Sequence, residues 1–312
     1  MHSRFSLVFF TVLLGIFPGR YAEATEAPTQ PVAVAPPPAP SPAAQAADSA
    51  VKETVVTTGM SGNQKKPAEV IPLLWKEHYV PPLCFDQMMM ASETVQPKIS
   101  IPNCNDDAEK KILRTYSEEG WIRTDYRYKA DGDDYPALTS MYRVIGKTKD
   151  GYAIEISSAT GGSGRFTAVI VVRVDGPVLE LVHNYGTGDR CNSGVADAEV
   201  KDGAVLYGFY LTPADFASVA FGDDQGLLAY EDLEASAVSC FAIQSYRDGK
   251  MEYIELEPDA FKQDQEGWTS NFALQTCMNI YLRKSVAAGK TKFTLPEFKT
   301  FMEGFLNSCK KA

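Results

Sequence analysis

The twelve residues from His183 to Gly194, H-N-Y-G-T-G-D-R-C-N-S-G, hold a histidine, a cysteine, an Asp-Arg pair and three glycines. A cysteine beside a histidine is the chemistry of a thiol nucleophile, which needs Cys191 as a thiolate and an oriented base next to it. Two features oppose that chemistry. The chain carries six cysteines, and an even count in an exported protein predicts that Cys191 is bridged. His183 closes the alternation Leu179, Leu181, His183 on an expected strand, where a histidine packs and hydrogen-bonds as part of the structure. The stretch is therefore read as a disulfide-pinned turn. Its binding residues would be Asp189, Arg190 and His183, because loops held by a rigid sheet carry recognition and arginine is enriched at interface hot spots.

No other stretch spells out a reaction. The glycine loop A-T-G-G-S-G-R-F, Ala159 to Phe166, offers Ser163 but lacks the G-x-S-x-G elbow and lies between two expected strands, where that motif requires a strand followed by a helix. G-T-G-D-R-C has Cys191 where a phosphate-binding G-x-G-x-x-G has its last glycine. The acidic clusters Asp131, Asp133, Asp134 and Asp223, Asp224 lack calcium-loop spacing and read as solvated turns. Outside the leader only His78 and His183 remain as histidines and no C-x-x-C occurs, so neither metal ligation nor a cofactor is expected. A pair of hydrolytic carboxylates can be distant in sequence and is defined only in space, which keeps an Asp/Glu hydrolase as an alternative.

The elements that must position these residues begin with an address. Met1 to Ala24 has a basic start, the apolar run Phe5 to Phe17 and a small-x-small site at Ala22-Glu23-Ala24, the pattern of a secretory leader cleaved before Thr25. The apolar run is shorter than the roughly 20 residues of a membrane span, and none is expected after cleavage. Residues 25–69 are rich in Pro and Ala, with no aromatic between Tyr21 and Trp75, and read as an extended spacer with too little apolar surface to fold. Residues 70–312 then form a single domain.

Within that domain four Asp-Gly pairs, at 150–151, 175–176, 202–203 and 248–249, sit between β-rich runs and signal hairpin turns. They imply an α+β fold: an antiparallel meander of about eight strands with peripheral helices. Phe166 to Val172 is apolar on both faces and reads as a central, doubly covered strand. Trp121 to Lys129 alternates Ile122, Tyr126 and Tyr128 against Arg123, Asp125, Arg127 and Lys129, and reads as an edge strand with a solvated face. Helices are expected over 106–119, with Asp106 and Asp107 at its start and Gly120 at its end, and from Thr212 to Gly222. Two more, 272–288 and 294–309, form an antiparallel hairpin at the C-terminus, the second announced by the capping box Thr294-Leu295-Pro296-Glu297. Helix lengths place Cys277 level with Cys309, and the other expected bridges are Cys84–Cys104 and Cys191–Cys240.

The chain has 30 Lys and Arg against 40 Asp and Glu, a net charge of −10. Phosphate binding is driven by positive charge, so a nucleic-acid partner is not expected. These readings describe an exported protein, periplasmic or extracellular, that binds a protein or glycan partner at the cell envelope or outside without catalysis. An envelope hydrolase with Asp or Glu residues in a cleft and a purely structural envelope component are the alternatives. Mass spectrometry of the exported protein is expected to find Thr25 at its N-terminus; a mature chain that keeps Met1 overturns the leader.

Overall fold

The computed structural model describes residues 71–91, 97–104, 110–130, 133–134, 138–159, 163–222, 225–229, 231–261 and 272–309. The leader, the spacer, Asp106, Asp107, Asp131, Asp223 and Asp224 lie outside the described residues. The described chain opens with a small hairpin of β1 (Leu74–Trp75) and β2 (His78–Tyr79), followed by helix α1 (Pro82–Ala91). One antiparallel sheet follows, made of β3 (Lys98–Ser100), β4 (Lys110–Glu118), β5 (Trp121–Ala130), β6 (Asp133–Asp134), β7 (Leu138–Lys147), β8 (Tyr152–Ala159), β9 (Arg165–Asp175) and β10 (Val178–Asp189). Its order is β3-β10-β9-β8-β7-β5-β4, with β6 paired to β5. A second sheet holds β11 (Val195–Lys201), β12 (Ala204–Leu211), β13 (Ala242–Arg247), β14 (Lys250–Leu256) and β15 (Lys292–Phe293), in that order. Helix α2 (Asp215–Phe221) connects β12 to β13, α3 (Gln275–Ala287) follows β14, and α4 (Leu295–Cys309) follows β15.

The buried side chains sort these elements into layers. Cys84, Phe85 and Met88 of α1 pack on Tyr142, Ile154, Ile156, Ile170 and Val172 from one face of the first sheet. From its other face Ala153, Val169 and Val171 meet Val205, Tyr207 and Phe209 of the second sheet. The far side of the second sheet, through Leu211, Ala242, Ile254 and Leu256, packs on Phe216 of α2, Met278 and Leu282 of α3, and Phe298, Met302 and Phe305 of α4. The order is helix, sheet, sheet, helices. The fold is mostly β, antiparallel, with four α-helices among the described residues.

The Asp-Gly pairs behave as hairpin chemistry requires. Asp202 and Gly203 both take positive φ, 53° and 77°, the twist that joins two strands tightly. The four pairs sit at the connections β7–β8, β9–β10, β11–β12 and β13–β14. The eight strands around them are nonetheless split between two sheets, and the described residues hold fifteen strands in three sheets. A single meander of about eight strands is thus too simple, because turn signals count tight hairpins and miss strands joined by longer connections.

Two local expectations are corrected. Over 106–119 the described part, Lys110–Glu118, is strand β4 and not helix. Pairing with β5 overrides the charge gradient that suggested a helix, and a bulge between Ile112 and Arg114 interrupts the two-residue alternation that would have revealed a strand. Consequently β5 is no edge strand, since β4 and β7 flank it. The other helix signals hold locally. Thr212 donates from its backbone N–H and its hydroxyl to Asp215 Oδ2, at 2.8 and 2.7 Å, and Thr294 does the same to Glu297 Oε2, at 2.8 Å each.

All six cysteines are bridged, as Cys84–Cys104, Cys191–Cys240 and Cys277–Cys309. The first ties α1 to the turn after β3, the second ties the β10–β11 turn to the segment before β13, and the third joins α3 to the end of α4. Replacing Cys191 and Cys240 together by serine is expected to lower stability by about 2 to 5 kcal/mol in urea unfolding. An unchanged midpoint would mean that backbone bonds alone hold the β10–β11 turn.

Candidate functional site

The structure separates the residues that the sequence groups in 183–194. Residues 183–189 belong to β10, and only 190–194 form a turn. His183 precedes Asp189 by six positions along the strand, roughly 20 Å at about 3.3 Å per residue, so it is no base for Cys191, which is bridged and buried. The His183 ring is half exposed, 3.5 Å from Asp150. It stacks on Tyr185 at 5.8 Å, and Tyr185 continues to Tyr207 at 4.9 Å and Tyr207 to Tyr246 at 5.0 Å. This row of rings runs from the half-exposed His183 into the core between the sheets.

Asp189 and Arg190 serve the turn. Asp189 Oδ1 accepts the backbone N–H of Arg165 at 2.7 Å and Arg190 Nε at 3.1 Å, while Oδ2 accepts Arg190 Nη2 at 3.2 Å. These bonds outweigh the effect of burial and hold the Asp189 carboxyl below the usual carboxylate range. The turn is close-packed. A side chain on Gly188 would collide with the backbone of Asn192 and Ser193, so the glycine there admits the chain and not a ligand.

A cleft lies on the α1 side of the first sheet, and no sequence motif marked it. Its volume is about 220 Å³, and its walls are Met89 and Met90 of α1, Tyr126, Ile156, Phe166, Ala168 and Thr187. Asp86, Met89 and Met90 fall three and four positions apart, the spacing that places them on one side of a helix. At the rim Met90 is 75 % exposed and Phe166 45 %, an unusual solvent exposure for two large apolar side chains side by side. At the base Asp86 Oδ1 accepts the Ser158 hydroxyl at 2.7 Å. Ser140 is paired with Ser158 across β7 and β8, and its buried hydroxyl favours the ionised form of the same carboxyl. Burial pushes the Asp86 carboxyl above the ordinary aspartate range, and the Ser158 and Ser140 hydroxyls and the charge of Lys110 offset only part of that rise. The sequence does carry a signal for this site, the run Met88-Met89-Met90, since adjacent methionines suit adaptable binding surfaces.

The opposite face of the same sheet is polar at the end that the second sheet leaves open. Asp125, buried on β5, accepts Arg114 Nε at 2.7 Å, Arg123 Nε at 2.9 Å and the Thr139 hydroxyl at 3.0 Å. Burial would raise its carboxyl, but these donors outweigh it and hold it below the usual range. Glu155, buried on β8, accepts Arg143 Nε at 2.8 Å, and there burial still prevails over the arginine and raises the carboxyl. Of the charges read from sequence as a solvated strand face, Arg127 and Lys129 are exposed, whereas Asp125 is buried and held by Arg123. No group of three or more His, Cys, Asp or Glu able to hold a metal occurs among the described residues. No protein family, curated protein or solved structure matches the chain.

The raised Asp86 carboxyl makes a prediction about pH. A proton held more tightly in the folded than in the unfolded chain contributes stability that is full below the unfolded value of about 3.9 and is lost as pH rises through the folded value. Asp86→Asn keeps an acceptor for Ser158 and cannot ionise. Its stability relative to the parent is therefore expected to grow as pH rises above about 4, by about 1.4 kcal/mol for each tenfold displacement of the proton equilibrium. Urea unfolding of both proteins across that range checks it, and a difference that does not change with pH overturns it.

Proposed function

We propose that the chain is an exported, non-catalytic binding protein and that its ligand seat is the cleft between α1 and β9. The observation that carries this reading is the junction of an apolar rim, the exposed Met90 and Phe166, with a polar base of Asp86 and Ser158. Mostly apolar concave sites with a few convergent polar groups and a displaced carboxyl are where ligands bind. A dry cavity of about 150 Å³ takes a benzene ring, so the 220 Å³ cleft suits a ring with a short tail. Asp86 at the base calls for a hydrogen-bond donor on that tail. The three disulfides support an oxidising compartment and, with the leader pattern, export to the periplasm or the exterior.

Binding is favoured over hydrolysis by the disposition of the acids. Among the described residues one carboxyl, Asp86, lines the cleft, whereas Asp125 and Glu155 are held by arginines on the other face. Acid–base hydrolysis of a glycosidic bond needs two carboxyls that flank one bond.

Calorimetric titration with 2-phenylethanol and ethylbenzene tests the seat. Both are expected to bind saturably to the parent protein and to lose binding in Thr187→Trp, which fills the mouth from an exposed position. Asp86→Ala is expected to weaken 2-phenylethanol about tenfold, the worth of one hydrogen bond to a polar group, and to leave ethylbenzene unchanged. No saturable binding of either compound, or equal weakening of both by Asp86→Ala, overturns the assignment.

A further inference from the structure

The arginine network on the opposite face surrounds a second concavity, a groove of about 260 Å³ lined by Arg123, Thr139, Met141, Ser157, Ala159 and Arg165. We propose that this groove binds the carboxylate of a small organic acid, with the Arg165 guanidinium as the principal donor. The four arginines of this face, Arg114, Arg123, Arg143 and Arg165, are not equivalent. Arg114 and Arg123 hold Asp125, Arg123 also reaches Glu118 at 3.9 Å, and Arg143 holds Glu155. Arg165 makes no ion pair among the described residues. Its Nε donates to Ser157 Oγ at 3.2 Å, which fixes the plane of the guanidinium and leaves its two terminal amino groups without a carboxylate.

The surroundings are preorganised for such a ligand. Arg123 is held at Nε by Asp125, and its Nη2 donates to Thr139 Oγ1 at 3.3 Å. Arg114 and Arg123 lie over the Tyr116 ring at 4.7 and 5.7 Å, and Arg143 over Trp121 at 5.0 Å, so these cations are stacked and have little rotamer freedom left to lose on binding. Ser157, on the floor, is 2 % exposed. In a chain of net charge −10, this is a patch where guanidinium groups outnumber the acids that they hold.

The same features select among anions. Arg165 alone of these guanidinium groups makes no ion pair among the described residues, and its charge acts at longer range on Glu155. Its planar pair of N–H donors matches the two coplanar oxygens of a carboxylate. Met141 and Ala159 add apolar floor that suits a carbon skeleton and offers nothing to the hydration shell of a sulfate or phosphate dianion. The groove and the α1 cleft lie on opposite faces of the sheet, so this site stands whether or not the cleft binds an apolar ligand.

The experiment is a titration of the full chain with sodium butyrate at constant ionic strength, followed by amide proton–nitrogen correlation spectra. Saturable shifts are expected at Thr139, Met141, Ser157 and Arg165, with millimolar affinity and weaker binding of sulfate. Arg165→Gln is expected to weaken butyrate roughly tenfold or more, as loss of a charge-assisted pair does. Arg165→Lys keeps the charge without the planar fork and is expected to weaken it severalfold. Thr187→Trp, on the other face, is expected to leave butyrate binding unchanged. Shifts that do not saturate, sulfate binding tighter than butyrate, or affinities in both Arg165 variants within twofold of the parent overturn the proposal.

Discussion

Strand β9 is covered from both sides, and the remaining architecture follows from that constraint. Five consecutive residues, Ala168 to Val172, are buried. Alternate side chains point to opposite faces, so Ala168, Ile170 and Val172 meet the α1 layer while Val169 and Val171 meet the second sheet. An antiparallel sheet commonly leaves one face wet; here neither face near β9 is free. Val169, Ile170, Val171 and Val172 each contribute on the order of 1.5 to 3 kcal/mol when removed from water. Helix α1 is fixed to the first face by Phe85 against Tyr142, 4.5 Å between ring centres, and by the Cys84–Cys104 bridge. The second sheet is fixed to the other by Val205, Tyr207 and Phe209.

Coverage by the described residues is incomplete, and both candidate sites lie where it ends. On the outer face β11 packs along β7 and β9, with Val200 seated against Gly146 so closely that a side chain on that glycine would collide with it. Beyond this contact the face formed by β4, β5 and the adjoining ends of β7 and β8 turns polar and carries the arginine network. On the inner face α1 stops at Ala91, and the cleft opens beside its last turn. Neighbouring serines show how one strand serves both sites. Ser157 faces the groove and holds Arg165, whereas Ser158 faces the cleft and holds Asp86. The two-residue period of β8 is what puts consecutive hydroxyls into different environments.

This geometry explains what was legible in the sequence. Features encoded by neighbours in the chain could be read: the Asp-Gly turns, the Thr294 cap, the apolar run of β9 and the cysteine count. Strand β4 was not legible, because the bulge at Leu113 breaks its alternation and its acidic and basic residues imitate a helix with a favourable dipole. Helix α1 was missed because Leu83, Cys84, Phe85 and Met88 are all buried and the run that contains them is apolar nearly all round, which leaves little amphipathic period to detect. The cleft brings together Asp86, Tyr126, Ser158 and Phe166 from one helix and three strands. No local pattern links those positions. The group 183–194 shows the converse, since strand extension separates His183 from the turn that its neighbours in the chain form.

The buried acids distinguish structural from accessible carboxyls by the donors around them. Asp125 receives two guanidinium groups and a hydroxyl, enough to overcome burial and keep it ionised. Glu155 receives one guanidinium and is still raised. Asp86 receives hydroxyls, with Lys110 adding a weaker attraction, and is raised as well. A carboxyl surrounded by charged donors is fixed in place, because exchanging any of them for a ligand would leave a buried charge uncompensated. A carboxyl met by hydroxyls loses much less when a ligand supplies a donor of its own, and the ligand's hydrogen bond then answers part of the burial that had raised it. Of the three, only Asp86 combines that condition with an opening to solvent and an apolar rim, which is why the cleft and not the more highly charged face is the seat for an apolar ligand.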